Sequence, residues 1–145
     1  MTRPLERVLP DASGEYGARV RRRLARERVV WLSTVSDEGF PEPNPVWFHW
    51  DEDDGFTVYN DTGSRRVRNI RARPEVTLHF DGGEFGRDIV VFRGRAEVLV
   101  GVPPTLPGFL AKYGDDIDRI MGGPSAFRVG HPAVVRVRPV GVRGR

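Results

Sequence analysis

The sequence predicts a single α+β domain, mainly antiparallel β, in which about six short strands close into a small barrel with flanking helices. Three observations predict it. Runs of β-branched and aromatic residues recur between short turns bearing Gly or Asp, which favours antiparallel neighbours. Short antiparallel strands in this number remove their exposed edges by closing on themselves. Regular alternation of strand and helix, the mark of a doubly wound parallel sheet, is missing. The 145 residues suit one domain, 1–145, and no linker or repeat divides them.

The elements follow in order. Residues 1–12 read as irregular, with Pro4 and Pro10 as breakers. Ser13–Arg28 reads as a helix: Tyr16, Val20 and Leu24 share one face, and six arginines from Arg19 to Arg28 fill much of the rest as a solvated surface. Val29–Val35 is the first strand, ended by the turn Ser36–Gly39. Pro45–Trp50 is the second, and the Asp54-Gly55 pair closes the hairpin that leads to the third, Phe56–Asn60. Arg65–Arg73 reads as a short helix with Val67 and Ile70 on its apolar face and Pro74 as its stop. Glu75–Asp81 is strand four; Gly82-Gly83 turns the chain into a long strand from Asp88 to Val100. Pro103–Met121 reads as helix in two pieces broken near Gly114, and Ala133–Arg138 as the last strand.

Composition excludes several classes. Hydrophobic residues at 39% and charged residues at 30% argue against a disordered chain. The absence of Cys removes disulfides, thiolate metal sites and cysteine nucleophiles. No run approaches the roughly 20 apolar residues of a membrane span and none has a signal-peptide pattern, so the expectation is a cytoplasmic protein without a membrane partner. Lys+Arg exceed Asp+Glu by 23 to 20, and Lys112 is the only Lys. The pI of 9.9 invites a nucleic-acid reading, whose best support is the arginine-rich first helix. The net charge is only +3, a nucleic-acid footprint needs clustering on one face, and the arginines of that helix read as a solvated surface, so no nucleic-acid partner is expected. His49, His79 and His131 lack metal-ligand spacing, so no metal site is expected. The acidic runs Asp51–Asp54 and Asp115–Asp118 read as solvated turn and helix-surface charge. Nucleophile-elbow, Walker and dinucleotide fingerprints are absent.

One segment carries chemistry. In Tyr59-Asn60-Asp61-Thr62-Gly63-Ser64-Arg65-Arg66 a strand ends, a glycine lets the chain turn, and a helix begins at Ser64. A helix start offers unpaired N–H groups and the positive end of the dipole. Ser64 adds a hydroxyl, and Arg65 and Arg66 add guanidinium forks suited to phosphate oxygens. The bland alternative is a serine cap beside two solvated arginines, in a chain where 22 residues are Arg.

The segment Val58–Arg66, with Asn69-Ile70 and Arg73–Leu78 after it, resembles the pyridoxamine 5′-phosphate oxidase-like family of flavin and deazaflavin split β-barrels. Leu32–Pro41 through Asn44–Phe48, and Gly94–Glu97, match two further blocks in the family's order, so the resemblance covers about residues 28–100. It implies an FMN-binding split barrel-like homodimer with cofactor sites at the subunit interface. Pro45, Val46 and Trp47 match the segment against the tricyclic ring, and Tyr59 and Asn60 the strand end beside the polyol chain and phosphate. Ser64, Arg65 and Arg66 match the phosphate turn, and Asn69 belongs to its helix; the family commonly has Lys where this chain has Arg66. The branch most resembled uses coenzyme F420, which implies an F420-dependent oxidoreductase moving hydride between the deazaflavin and a small electron-poor organic substrate. An FMN-dependent oxidase or reductase and a non-catalytic cofactor-binding protein are the alternatives. The C-terminal Val140–Arg145 lacks an aromatic residue, which argues against pyridoxamine phosphate as substrate. No catalytic side chain is assigned.

Overall fold

A seven-stranded, wholly antiparallel sheet in the order β2-β1-β5-β6-β7-β4-β3 forms the body of the protein, seen in a computed structural model that describes residues 4–101 and 105–145. The strands are β1 Val30–Val35, β2 Pro41–Val46, β3 His49–Asp51, β4 Gly55–Asn60, β5 Glu75–His79, β6 Val90–Val100 and β7 Ala133–Gly144. The helices are α1 Glu15–Arg26, α2 Arg65–Ala72, α3 Pro107–Ile120 and α4 Pro124–Gly130. The sheet curls into a half-barrel whose edge strands, β2 and β3, are successive in the chain and joined through Trp47 and Phe48.

That junction corrects the sequence reading, which has one strand over Pro45–Trp50 and six strands in all. Two strands stand there instead, and β2 begins at Pro41. Pro41, Pro43 and Pro45 obscure it, since proline cannot donate to a ladder. Here they alternate opposite Val35, Ser33 and Trp31 on a strand with a single neighbour. Their missing donors fall on the open edge, while Glu42, Asn44 and Val46 keep the N–H groups that face β1.

Three further boundaries differ. Helix α3 runs unbroken through Gly114, because Phe109, Tyr113 and Ile117 bury one continuous face. Pro103, where the sequence places its start, lies outside the described residues. Helix α4 is too short to show a period in the sequence, yet buries Phe127. Strand β7 continues past Arg138 because it pairs with the whole of β6, with a register shift at Arg93/Gly94. Gly55 sits at φ +88°, the left-handed turn that Asp54-Gly55 predicts, and a Cβ there would lie 2.3 Å from the Val137 carbonyl oxygen.

Two apolar cores result. Inside the curl, Leu32, Phe48, Phe56, Leu78 and Phe92 meet Val20 and Leu24 of α1 and Val67 and Ile70 of α2. On the other side of β4, Tyr59 and Val134 meet Phe109, Tyr113, Ile117 and Phe127 of α3 and α4. Strand β4 is therefore buried on both faces. This rigid, doubly covered strand delivers the turn at Asn60.

Candidate active site at the β4–α2 corner

Asn60 ends β4 fully buried, and its two amide atoms have opposite tasks. Nδ2 donates to the Val58 carbonyl at 3.0 Å, and Oδ1 accepts from Arg66 Nε at 2.6 Å. Asp61 then builds the turn: its Oδ1 accepts from Gly63 N–H at 3.0 Å and its carbonyl from Ser64 N–H at 3.2 Å. Ser64 arrives in extended conformation as the N-cap of α2, with Oγ accepting from Val67 N–H at 3.3 Å. A capping hydroxyl of this kind accepts from the helix and keeps its own proton to give.

Arg65 and Arg66 leave the helix start in different environments. Arg65 is mostly exposed and pairs with Glu42 of β2, Nη2 to Oε2 at 2.6 Å. Arg66 is half-buried, and burial pulls its pKa below the ordinary guanidinium value. Its hydrogen bond among the described residues goes to the neutral amide of Asn60, and no carboxylate lies within ion-pair distance. One turn on, Asn69 is buried and donates to Thr34 Oγ1 at 3.0 Å and to Glu42 Oε1 at 2.8 Å. Thr34, Glu42, Asn44, Arg65, Arg66 and Asn69, with Pro41 and Pro43, line a hollow of about 530 Å³.

The sequence-derived residues divide into two groups. Asn60, Ser64, Arg65, Arg66 and Asn69 meet at this corner. Pro45 is exposed at the end of β2 and Val46 is buried in the inner core. Trp47 stacks on Tyr113 of α3, with centroids 4.7 Å apart and planes at 1°. Tyr59 points away from Asn60, as alternation along a strand demands, and joins the second core. Its hydroxyl accepts from Leu106 N–H at 2.9 Å. Thr34 and Glu42 are the corner residues that sequence reasoning missed. Both reach it across the sheet from β1 and β2, and the only local signal was that Glu42 alternates with prolines on one strand.

The histidines hold structural positions. His131 Nδ1 lies 2.8 Å from the Phe127 carbonyl oxygen and His79 Nδ1 lies 3.0 Å from that of Phe80. His49 packs beside Gly108, and burial lowers its pKa. No group of three or more His, Cys, Asp or Glu that would suit a metal occurs among the described residues.

The family model for pyridoxamine 5′-phosphate oxidase matches residues 17–145. The chain belongs to the pyridoxamine 5′-phosphate oxidase family. Among curated members, the pyridoxine/pyridoxamine 5′-phosphate oxidase of Pseudoalteromonas translucida is 29% identical over 112 residues, which are 77% of this chain and 47% of that protein. The chain thus spans less than half the length of that relative. Among solved structures, an F420 reductase is 26% identical with a TM-score of 0.67, over 86% of this chain and 96% of its own. The heme storage protein HutZ of Vibrio cholerae shares the fold at 16% identity and a TM-score of 0.61, over 88% of this chain and 92% of its own. The pyridoxamine 5′-phosphate oxidase family accordingly includes oxidoreductases and supplies the split-barrel fold described above. No helix among the described residues is long and apolar enough to cross a membrane.

Proposed function

We propose that the protein is an F420-dependent oxidoreductase whose β4–α2 corner holds the cofactor's phosphate. The observation that carries this reading is Arg66. A half-buried guanidinium with only a neutral amide to bond is an incomplete arrangement, and an anion in the adjoining hollow completes it. Ser64 Oγ and the first N–H groups of α2 supply further donors to the same anion. Asn60 fixes the Arg66 fork, and Asn69 fixes the floor through Thr34.

When bound, the deazaflavin supplies hydride chemistry toward a small electron-poor acceptor. The chain's task is to orient the ring and exclude water. The backbone of Pro45, Val46 and Trp47 is the proposed wall for the ring, with the Val46 side chain turned into the core and the stack of Trp47 on Tyr113 stiffening the segment. Tyr59 contributes from behind, by anchoring the start of α3 through its hydroxyl. The choice of F420 rests on the F420 reductase, which this chain covers almost end to end, whereas it spans under half of the curated oxidase. FMN is the second reading, favoured by the oxidase activity of the curated relatives.

We propose a homodimer as the working unit. A second hollow, of about 460 Å³, lies over β1, β5, β6 and β7 and shares Thr34 and Pro41 with the phosphate corner. A second copy seated there would wall the cofactor site from the side.

Parallel titration with F420 and FMN, read by fluorescence, tests the cofactor. Tight FMN uptake without F420 binding would overturn the first choice. Binding of F420 with no turnover across a panel of electron-poor acceptors would make the protein a carrier. Arg66→Ala is expected to weaken cofactor binding by about 1.5–3 kcal/mol, roughly ten- to a hundredfold in Kd. If the double variant Ser64→Ala, Arg66→Ala leaves Kd unchanged, the phosphate assignment fails.

A further inference from the structure

The corner already contains an anion of the chain's own. Glu42 spreads its carboxylate across two donors that face the hollow, Oε2 to Arg65 and Oε1 to Asn69. The hollow's charged lining is then Arg65, Arg66 and Glu42, which sum to +1 + 1 − 1 = +1. An anion hole for a phosphomonoester, which carries about −1.5 to −2 near neutrality, is better served by two uncompensated cations. A phosphodiester carries one negative charge, and that matches the sum.

We infer that Glu42 is a specificity-determining residue that tunes this corner for a singly charged phosphodiester over a doubly charged phosphomonoester. The inference rests on the proposal that the corner binds phosphate. Three observations support it. Glu42 cannot drift away, because it stands on a strand held residue by residue against β1 and is clamped by a buried amide. The amide is itself fixed, since Asn69 also donates to fully buried Thr34. The guanidinium that Glu42 neutralises is Arg65, so the half-buried Arg66 is left as the uncompensated charge of the hollow. A monoester dianion therefore brings its second charge toward a fixed carboxylate, or must pull Arg65 off it. A diester needs only Arg66, Ser64 and the helix start. F420 joins its polyol to its acidic tail through a phosphodiester, and FMN ends in a monoester, so the same residue separates the two cofactors.

The test measures Kd for F420, FMN and phosphate-free riboflavin on the full chain. Glu42→Gln and Glu42→Ala are expected to tighten FMN by about fivefold, F420 by less than twofold, and riboflavin not at all. Arg65→Ala changes the sum in the other sense and is expected to weaken FMN more than F420, which tests the inference even if a Glu42 variant fails to fold. Equal changes for both phosphate ligands in every variant, or no change in any, would overturn the role of Glu42. Arg66→Ala separates that failure from failure of the underlying reading. If it still weakens F420 and FMN but not riboflavin, the phosphate corner stands and only the selectivity falls.

Discussion

The carbonyl oxygen of Phe48 is the meeting point of two titrating side chains. Lys112 Nζ donates to it at 3.0 Å and lies 3.6 Å from the Phe48 ring centroid, while Tyr113 Oη lies 3.1 Å from it, donates to the Arg28 carbonyl at 2.6 Å and accepts from Phe48 N–H at 3.0 Å. Burial, with Arg28 nearby, lowers Lys112 from 10.5 to about 8. Burial raises Tyr113 from 10.0 to about 12. The two shifts have opposite consequences. Between about 8 and 10.5 the unfolded chain holds the lysine proton that the folded one has released, so stability rises with pH. Between 10.0 and about 12 the folded chain keeps the phenol proton that the unfolded one loses, so stability falls. Tyr16, also raised by burial, adds to the fall. Urea midpoints recorded from pH 7 upward should climb to a maximum near pH 10 and then decline. Lys112→Met should flatten the climb, and Tyr113→Phe should soften the decline. A climb that survives in Lys112→Met would show that this amine is not its source.

At the scale of the element, helix α1 is fastened by side chains that its sequence pattern gives to solvent. Arg19 pairs with Asp88 and Glu15, and Arg23 pairs with Glu27 and Asp88, reaches the Asp81 carbonyl and lies over Phe80. Arg21 donates to the carbonyls of Pro10 and Gly17. The expected solvated face is therefore in part a strap to the β5–β6 loop, while Arg22 and Arg26 remain exposed. Gly17 lets the 4–14 segment lie directly on the helix, since a Cβ there would stand 1.8 Å from the Asp11 carbonyl oxygen. Gly17→Ala raises helix propensity by about 1 kcal/mol, yet the collision should leave the protein about 1–3 kcal/mol less stable, read by chemical denaturation. A stabilised variant would mean that the segment is not held there.

Periodicity made α1, β1, β4, β5 and β6 legible to within a few residues, because each carries its burial pattern in its own local sequence. It failed where burial is set from afar. The prolines hid β2 because their tolerance depends on its being an edge. Gly114 suggested a break because the partners of α3 lie on β4 and β7. The Asn60–Arg66 half of the candidate site is contiguous and was readable. Glu42 and Thr34 were not, since only the β1–β2–α2 arrangement brings them to Asn69.

For the whole molecule, the proposed dimer makes the second hollow a place where charge should be intolerable. Val140 on β7 is about half exposed and lines that hollow. Val140→Asp should shift the protein from dimer to monomer in light scattering and weaken cofactor uptake in parallel, with little change in the monomer's own fold. A monomeric wild type, or a variant that stays dimeric, would count against this surface. The proline-spaced edge of β2 sets the terms of any such assembly. A strand whose outward-facing positions at Pro41, Pro43 and Pro45 all lack a donor cannot template a copy of itself, so the sheet cannot grow outward from β2 into a ribbon or a fibril. The other edge, β3, spans only His49–Asp51 and offers a short stretch for pairing. The three imino acids of β2, two of which line the β4–α2 hollow, thus also guard this edge against seeding aggregates in a concentrated solution.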